Sequence, residues 1–136
     1  MTVTYAIDPA QRLIVTRCVG NTDLRDVIAH FEQLVNDPAC PPVLNVLLDL
    51  TEMTTVPDSG QLHVAAAATA RARERIEFDH CAIVAASETT RGLAMVWEMF
   101  ARQSFRATGV FRSFDEAQAW LATSETDRRK DGMTDG

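Results

Sequence analysis

Val3, Tyr5 and Ile7 share one face of the segment Thr2–Ile7, which is the two-residue period of a strand. Asp8-Pro9-Ala10-Gln11 supplies turn chemistry, and a second strand follows over Arg12–Val19. In that strand Leu13, Val15 and Arg17 alternate with Ile14 and Cys18. The short connection predicts an antiparallel hairpin. Gly20-Asn21 breaks the pattern, and Thr22 or Asp23 offers an N-cap. Leu24, Val27, Ile28, Phe31, Leu34 and Val35 then recur at three- and four-residue spacing. They predict an amphipathic helix ending at Asn36-Asp37-Pro38, with His30 beside the stripe and turned to solvent.

From Val43 the pattern changes to near-continuous apolar runs. Val43–Leu50 and His80–Ala86 read as strands covered on both faces. Between them an alanine-rich helix opens at Pro57-Asp58-Ser59-Gly60 and ends near Arg75. A third helix spans Thr90–Phe105, and Gly109–Arg112 is a short last strand. Ser113 and Glu116 form a capping box for a final helix through Ala117, Trp120 and Leu121. The order ββαβαβαβα, a hairpin followed by strict alternation, predicts an α/β fold around a five-stranded, mostly parallel sheet. Residues 1–122 form one domain. The polar stretch 123–136 has Met133 as its one large apolar residue and reads as a flexible tail.

Composition narrows the function classes. The 136 residues carry net charge −6, with 13 Lys+Arg against 19 Asp+Glu, which argues against a nucleic-acid partner. No secretory signal and no membrane-length apolar run is visible. Cys18, Cys40 and Cys81 are odd in number and widely spaced, as expected of buried thiols in a reducing cytoplasm.

The segment Leu48-Asp49-Leu50-Thr51-Glu52-Met53-Thr54-Thr55-Val56-Pro57-Asp58-Ser59-Gly60-Gln61-Leu62 resembles the signature of STAS domains, the bacterial anti-sigma-factor antagonists of the SpoIIAA type. The ending Val110-Phe111-Arg112-Ser113-Phe114-Asp115-Glu116-Ala117-Gln118-Ala119-Trp120-Leu121 is similar to the SpoIIAA-like proteins grouped structurally with CRAL-TRIO lipid-binding domains. Ser59-Gly60 falls where that family carries its phosphorylatable hydroxyl and following glycine. One departure is that Pro57 stands where the family has an aspartate, with Asp58 shifted by one place, which bears on recognition by an anti-sigma kinase. The resemblance implies a SpoIIAA-like domain that acts by binding a protein partner.

Candidate chemistry is sparse. Ser59 at a helix N-terminus is either a phosphorylation switch or a cap. With Gly60, Ser87 and Arg91 it lies at the carboxyl edge of the strands, where a small anion would bind. His30, His63 and His80 make no ligand spacing with the cysteines, so no metal and no cofactor is expected. A Ser59–His63 pair at i, i+4 has no orienting acid or oxyanion hole beside it, and no catalytic constellation emerges.

The third helix is apolar over an unusually wide arc. Leu93, Val96, Trp97 and Phe100 predict an inward stripe, which Ala94, Met95, Met99 and Ala101 widen well past one face. Such a helix is buried on two sides, forms a partner or homodimer interface, or roofs an apolar pocket. Two expectations follow. The first is a non-enzymatic STAS-like regulatory or protein-interaction module, switched at the start of the second helix. The alternative is a binder of an apolar or amphiphilic small molecule between the sheet and the second and third helices.

Overall fold

The computed structural model describes residues 3–22, 24–54 and 59–123. Strands β1 (Val3–Asp8) and β2 (Leu13–Gly20) form the expected hairpin, with Val3 opposite Cys18 and Asp8 opposite Leu13. Asp8 ties the turn by accepting from the amides of Ala10 and Gln11 at 3.1 and 3.3 Å. Helix α1 (Leu24–Val35) leads to β3 (Val43–Met53), α2 (Ser59–Ala72) to β4 (Glu77–Val84), and α3 (Glu88–Ala101) to β5 (Ala107–Phe111). A 3-10 turn, Arg102–Ser104, continues α3, and residues 114–123 form a further helix, α4.

The five strands lie in the order β1-β2-β3-β4-β5. The hairpin is antiparallel and every later pair is parallel. This is the α/β architecture that the alternation of elements implies. Alternate residues of each strand face opposite layers. On β2, Ile14 and Cys18 face α1–α3, while Leu13 and Val15 pack with Ala117 and Leu121 of α4. On β3, Leu44, Val46, Leu48 and Leu50 take the three-helix side and Leu47 the α4 side.

Several boundaries move for identifiable reasons. β3 continues to Met53 because Val19 and Gly20 still pair with Glu52 and Met53, so Thr51 and Glu52 belong to the strand. β4 begins at Glu77, ahead of His80, because Val43 and Leu44 pair with Glu77 and Phe78 before a bulge interrupts the ladder. Leu44 pairs with Phe78 but Val46 with Cys81, so Asp79 and His80 together oppose Asn45. The buried Asn45 accepts the His80 amide at 3.0 Å, which satisfies a donor that the bulge takes out of the ladder. The second helix stops at Ala72. The third stops at Ala101, and Phe105 is extended, its ring 5.3 Å from that of Phe78.

Capping follows the sequence at α3 and α4. Ser87 accepts the Thr90 amide at 3.1 Å, and Ser113 accepts that of Glu116 at 3.2 Å. Ser87→Ala should therefore cost about 1 kcal/mol in urea denaturation, since it orphans a helix N–H. Of the two expected caps of α1, the Thr22 hydroxyl makes no such hydrogen bond among the described residues, and Asp23, like the segment 55–58 and the tail from 124 onward, lies outside them.

Candidate functional site

A cavity of about 130 Å³ lies between the sheet and the three helices α1, α2 and α3. Its floor is the helix-facing row of the strands, including Ile14, Thr16 and Cys18 of β2 and Val46, Leu48 and Leu50 of β3. Leu62 and Ala65 of α2 form the roof. Val27, His30, Phe31 and Leu34 of α1 make one wall, and Leu93, Ala94 and Trp97 of α3 the other. The space has a local cause. The roof helix is built largely of alanine, so it seals against its neighbours without side chains long enough to reach the floor.

The wall is overwhelmingly apolar, and no charged side chain lines it among the described residues. Three of its residues carry a buried polar atom with no hydrogen-bond partner among the described residues: Thr22 Oγ1, His30 Nδ1 and Trp97 Nε1. His30 is 7% exposed. Its other ring nitrogen, Nε2, lies 3.4 Å from Thr16 Oγ1, and its ring meets those of Tyr5 and Phe31 at 5.2 and 5.1 Å. Burial lowers its pKa from 6.5 to about 4, so the imidazole is neutral at pH 7. The expectation that His30 faces solvent is overturned. On a helical wheel position 30 lies only about 40° from Leu34, inside the buried stripe. That spacing was the available signal.

Two cysteines on the floor are inert by the same physics. Burial pushes the Cys18 thiol up to about 11, helped by nearby Asp49, and the Cys81 thiol to about 12, helped by Glu98.

Of the four α3 residues singled out as an apolar ligand or partner surface, Met95, Trp97, Met99 and Phe100, Trp97 lines the cavity and the other three do not. Met95, Met99 and Phe100 are exposed, Met99 by 71%. The inward stripe is centred on the fully buried Ala94 and Ala101, because small residues let the helix approach the sheet closely. Phe100 is thereby displaced from its expected inward place and meets the His63 ring at 5.4 Å on the surface.

The polar edge is less open than its composition suggests. Ser87 Oγ donates to Thr90 Oγ1 at 2.7 Å while accepting the Thr90 amide, so its hydroxyl serves the cap. Asp49 accepts from both the amide and the hydroxyl of Thr51, at 3.0 and 2.7 Å. Its other oxygen lies 3.8 Å from Arg17 Nε. Gly60 is exposed, Arg91 half-buried, and Ser59 is the first residue of α2. The Ser59 side chain lies outside the described residues, so the structure brings no described group of this set onto a common ligand. No group of three or more metal-ligating side chains occurs among the described residues, and no helix among them is long and apolar enough to cross a membrane.

No family model and no curated protein matches the chain. Among solved structures it is similar to an uncharacterized protein of the DUF3478 family with a SpoIIAA-like fold, from Shewanella loihica PV-4. The identity is 18%, the match covers 88% of this chain and 93% of that one, and the TM-score is 0.56. The chain thus has a SpoIIAA-like α/β fold, the fold that its strand-loop-helix segment and its ending resemble.

Proposed function

We propose that this domain is a non-enzymatic binder of a small, largely apolar molecule, held between the sheet and α1–α3. The observation that carries this reading is the cavity itself, at about 130 Å³ and lined almost wholly by apolar side chains. An apolar cavity of about 150 Å³ is enough to take up benzene. Of the two expectations drawn from the sequence, this favours the small-molecule binder over the partner-switched module. It also adds α1 as a wall. Binding without catalysis is supported by the lining: among the described residues, neutral His30 has no carboxylate or cation beside it there to complete an acid-base pair. The three free thiols, two of them deeply buried, support a reducing compartment.

The test is a titration of the isotope-labelled protein with toluene, phenol and benzyl alcohol, followed by amide resonances. At least one compound should shift residues of the wall, such as Val27, Leu48 and Leu93, in a saturable way. Shifts scattered over the surface, or none with any of the three, would sink the proposal. Ala65→Leu should abolish the response, because its added carbons enter the cavity from the roof. Stability in urea should stay within about 1 kcal/mol of the parent, since those carbons fill space already open.

A further inference from the structure

The three partnerless polar atoms narrow the ligand class. Buried polar groups are normally hydrogen-bonded, so each that is not calls for an explanation. Asp79 Oδ1 and His80 Nδ1 are also buried but face each other 2.9 Å apart, away from the cavity, whereas these three all belong to cavity-lining residues on opposite sides: Thr22 just before α1 and His30 within it, and Trp97 on α3. They differ in what they can do. Trp97 Nε1–H is a donor only, whereas Thr22 Oγ1 and His30 Nδ1 can act as donor or acceptor according to hydroxyl rotation and tautomer. An occupant that satisfies Trp97 must therefore carry an acceptor.

Charge selects further. An ionised group moved into this space would meet no opposite charge among the described lining residues, and burying an unpaired charge is very costly. Shape adds one more constraint. Phe31, Phe78, Phe105, His30 and Trp97 all line the cavity, and its volume is that of about one ring.

Resting on the cavity reading above, we propose that the ligand is an uncharged single-ring compound bearing one oxygen acceptor, such as a phenol or a cyclic ketone, with Trp97 Nε1–H donating to that oxygen. Phe31 and Leu34 of α1 and the β2 floor then hold the ring by apolar contact, and Thr22 or His30 adapts to a hydroxyl proton where the ligand has one.

The probes are phenol, toluene and benzoate, each titrated at pH 7 into the full chain. Phenol is costlier to dehydrate than toluene, so a purely apolar cavity prefers toluene. Phenol is expected to bind at least as tightly as toluene, with benzoate at least tenfold weaker than phenol. The Trp97 indole N–H resonance should move downfield with phenol and not with toluene. It is identified by its loss in Trp97→Phe, which leaves the indole of Trp120 as the other such signal. Trp97→Phe should weaken phenol about tenfold and change toluene less than threefold.

Toluene binding tenfold tighter than phenol, or benzoate matching phenol, would overturn this inference while leaving the cavity reading intact. Failure of toluene, phenol and benzyl alcohol alike would remove both. The ranking in the parent protein decides the matter even where Trp97→Phe proves too unstable to study.

Discussion

Acidification from pH 8 to pH 4 should remove about 3 kcal/mol of stability through His30 alone. The unfolded chain exposes an ordinary imidazole with a pKa near 6.5, whereas burial in the folded state lowers it to about 4. Between those values the unfolded state binds a proton that the folded state refuses. Stability is therefore fully present above about pH 6.5 and declines as the pH falls toward 4. Below the folded-state value both forms are protonated and the group adds no further slope. Desolvation is the whole cause, and the contacts around the ring are the uncharged Tyr5, Thr16 and Phe31. The measurement is urea denaturation of the parent and of His30→Leu at several pH values across this window. Carboxylates titrate in both proteins, so the difference between the two pH dependences isolates the imidazole. Parallel curves would show that His30 is not buried as described. A titration of the imidazole carbon resonances, with an apparent pKa near 4, is the independent check.

The same residue marks the limit of what the chain discloses before it is folded. Element order, hairpin and parallel sheet follow from the period of the apolar positions, which change from alternation in Thr2–Val19 to unbroken runs at Val43 and beyond. The two-faced character of β2 is equally legible, because Leu13/Val15 and Ile14/Cys18 separate by parity. Burial of His30 depends on a neighbouring fact, the approach of β1 and β2 that sets Tyr5 and Thr16 against it. The helical spacing of His30 from Leu34 places it in the buried stripe, but no local feature says which strand residues meet its ring. The arc of α3 differs from the expected one for a related reason. Hydrophobicity ranks Phe100 and Met99 above Ala94 and Ala101, yet close helix–sheet packing selects the smaller side chains for the contact. The bulge at Asp79 and His80 reverses strand parity midway, so Phe78 and Cys81, three residues apart, line the same cavity. The alanine run of α2 left two outcomes open, tight closure on the sheet or residual space. Which one occurs is decided by how far α1 and α3 hold the roof away from the floor.

Adjacent leucines on β3 should separate stability from recognition. Leu47 is fully buried on the α4 side, among Leu13, Ala82, Val84 and Leu121. Leu47→Ala should cost about 3–5 kcal/mol, since it forfeits the transfer energy of three carbons and leaves a new void in a packed layer. With domain stabilities of about 5–15 kcal/mol, that is a large part of the whole. Leu48 points the opposite way and is half-buried because one side of it faces the cavity. Its side chain already lacks partner atoms on that side, so Leu48→Ala forfeits fewer contacts and should cost about 2 kcal/mol. The carbons it removes join the existing space, so the Leu48→Ala protein should bind 1-naphthol, a two-ring relative of phenol that the parent excludes. Urea denaturation and amide titrations of the two variants give both quantities side by side. Equal costs for the two substitutions would mean that Leu48 packs against a filled layer, and unchanged ligand size in Leu48→Ala would mean that the cavity is not where the ligand sits. The contrast works because neighbouring residues on a strand face opposite layers, one a closed core against α4 and the other the floor of the space beneath α2.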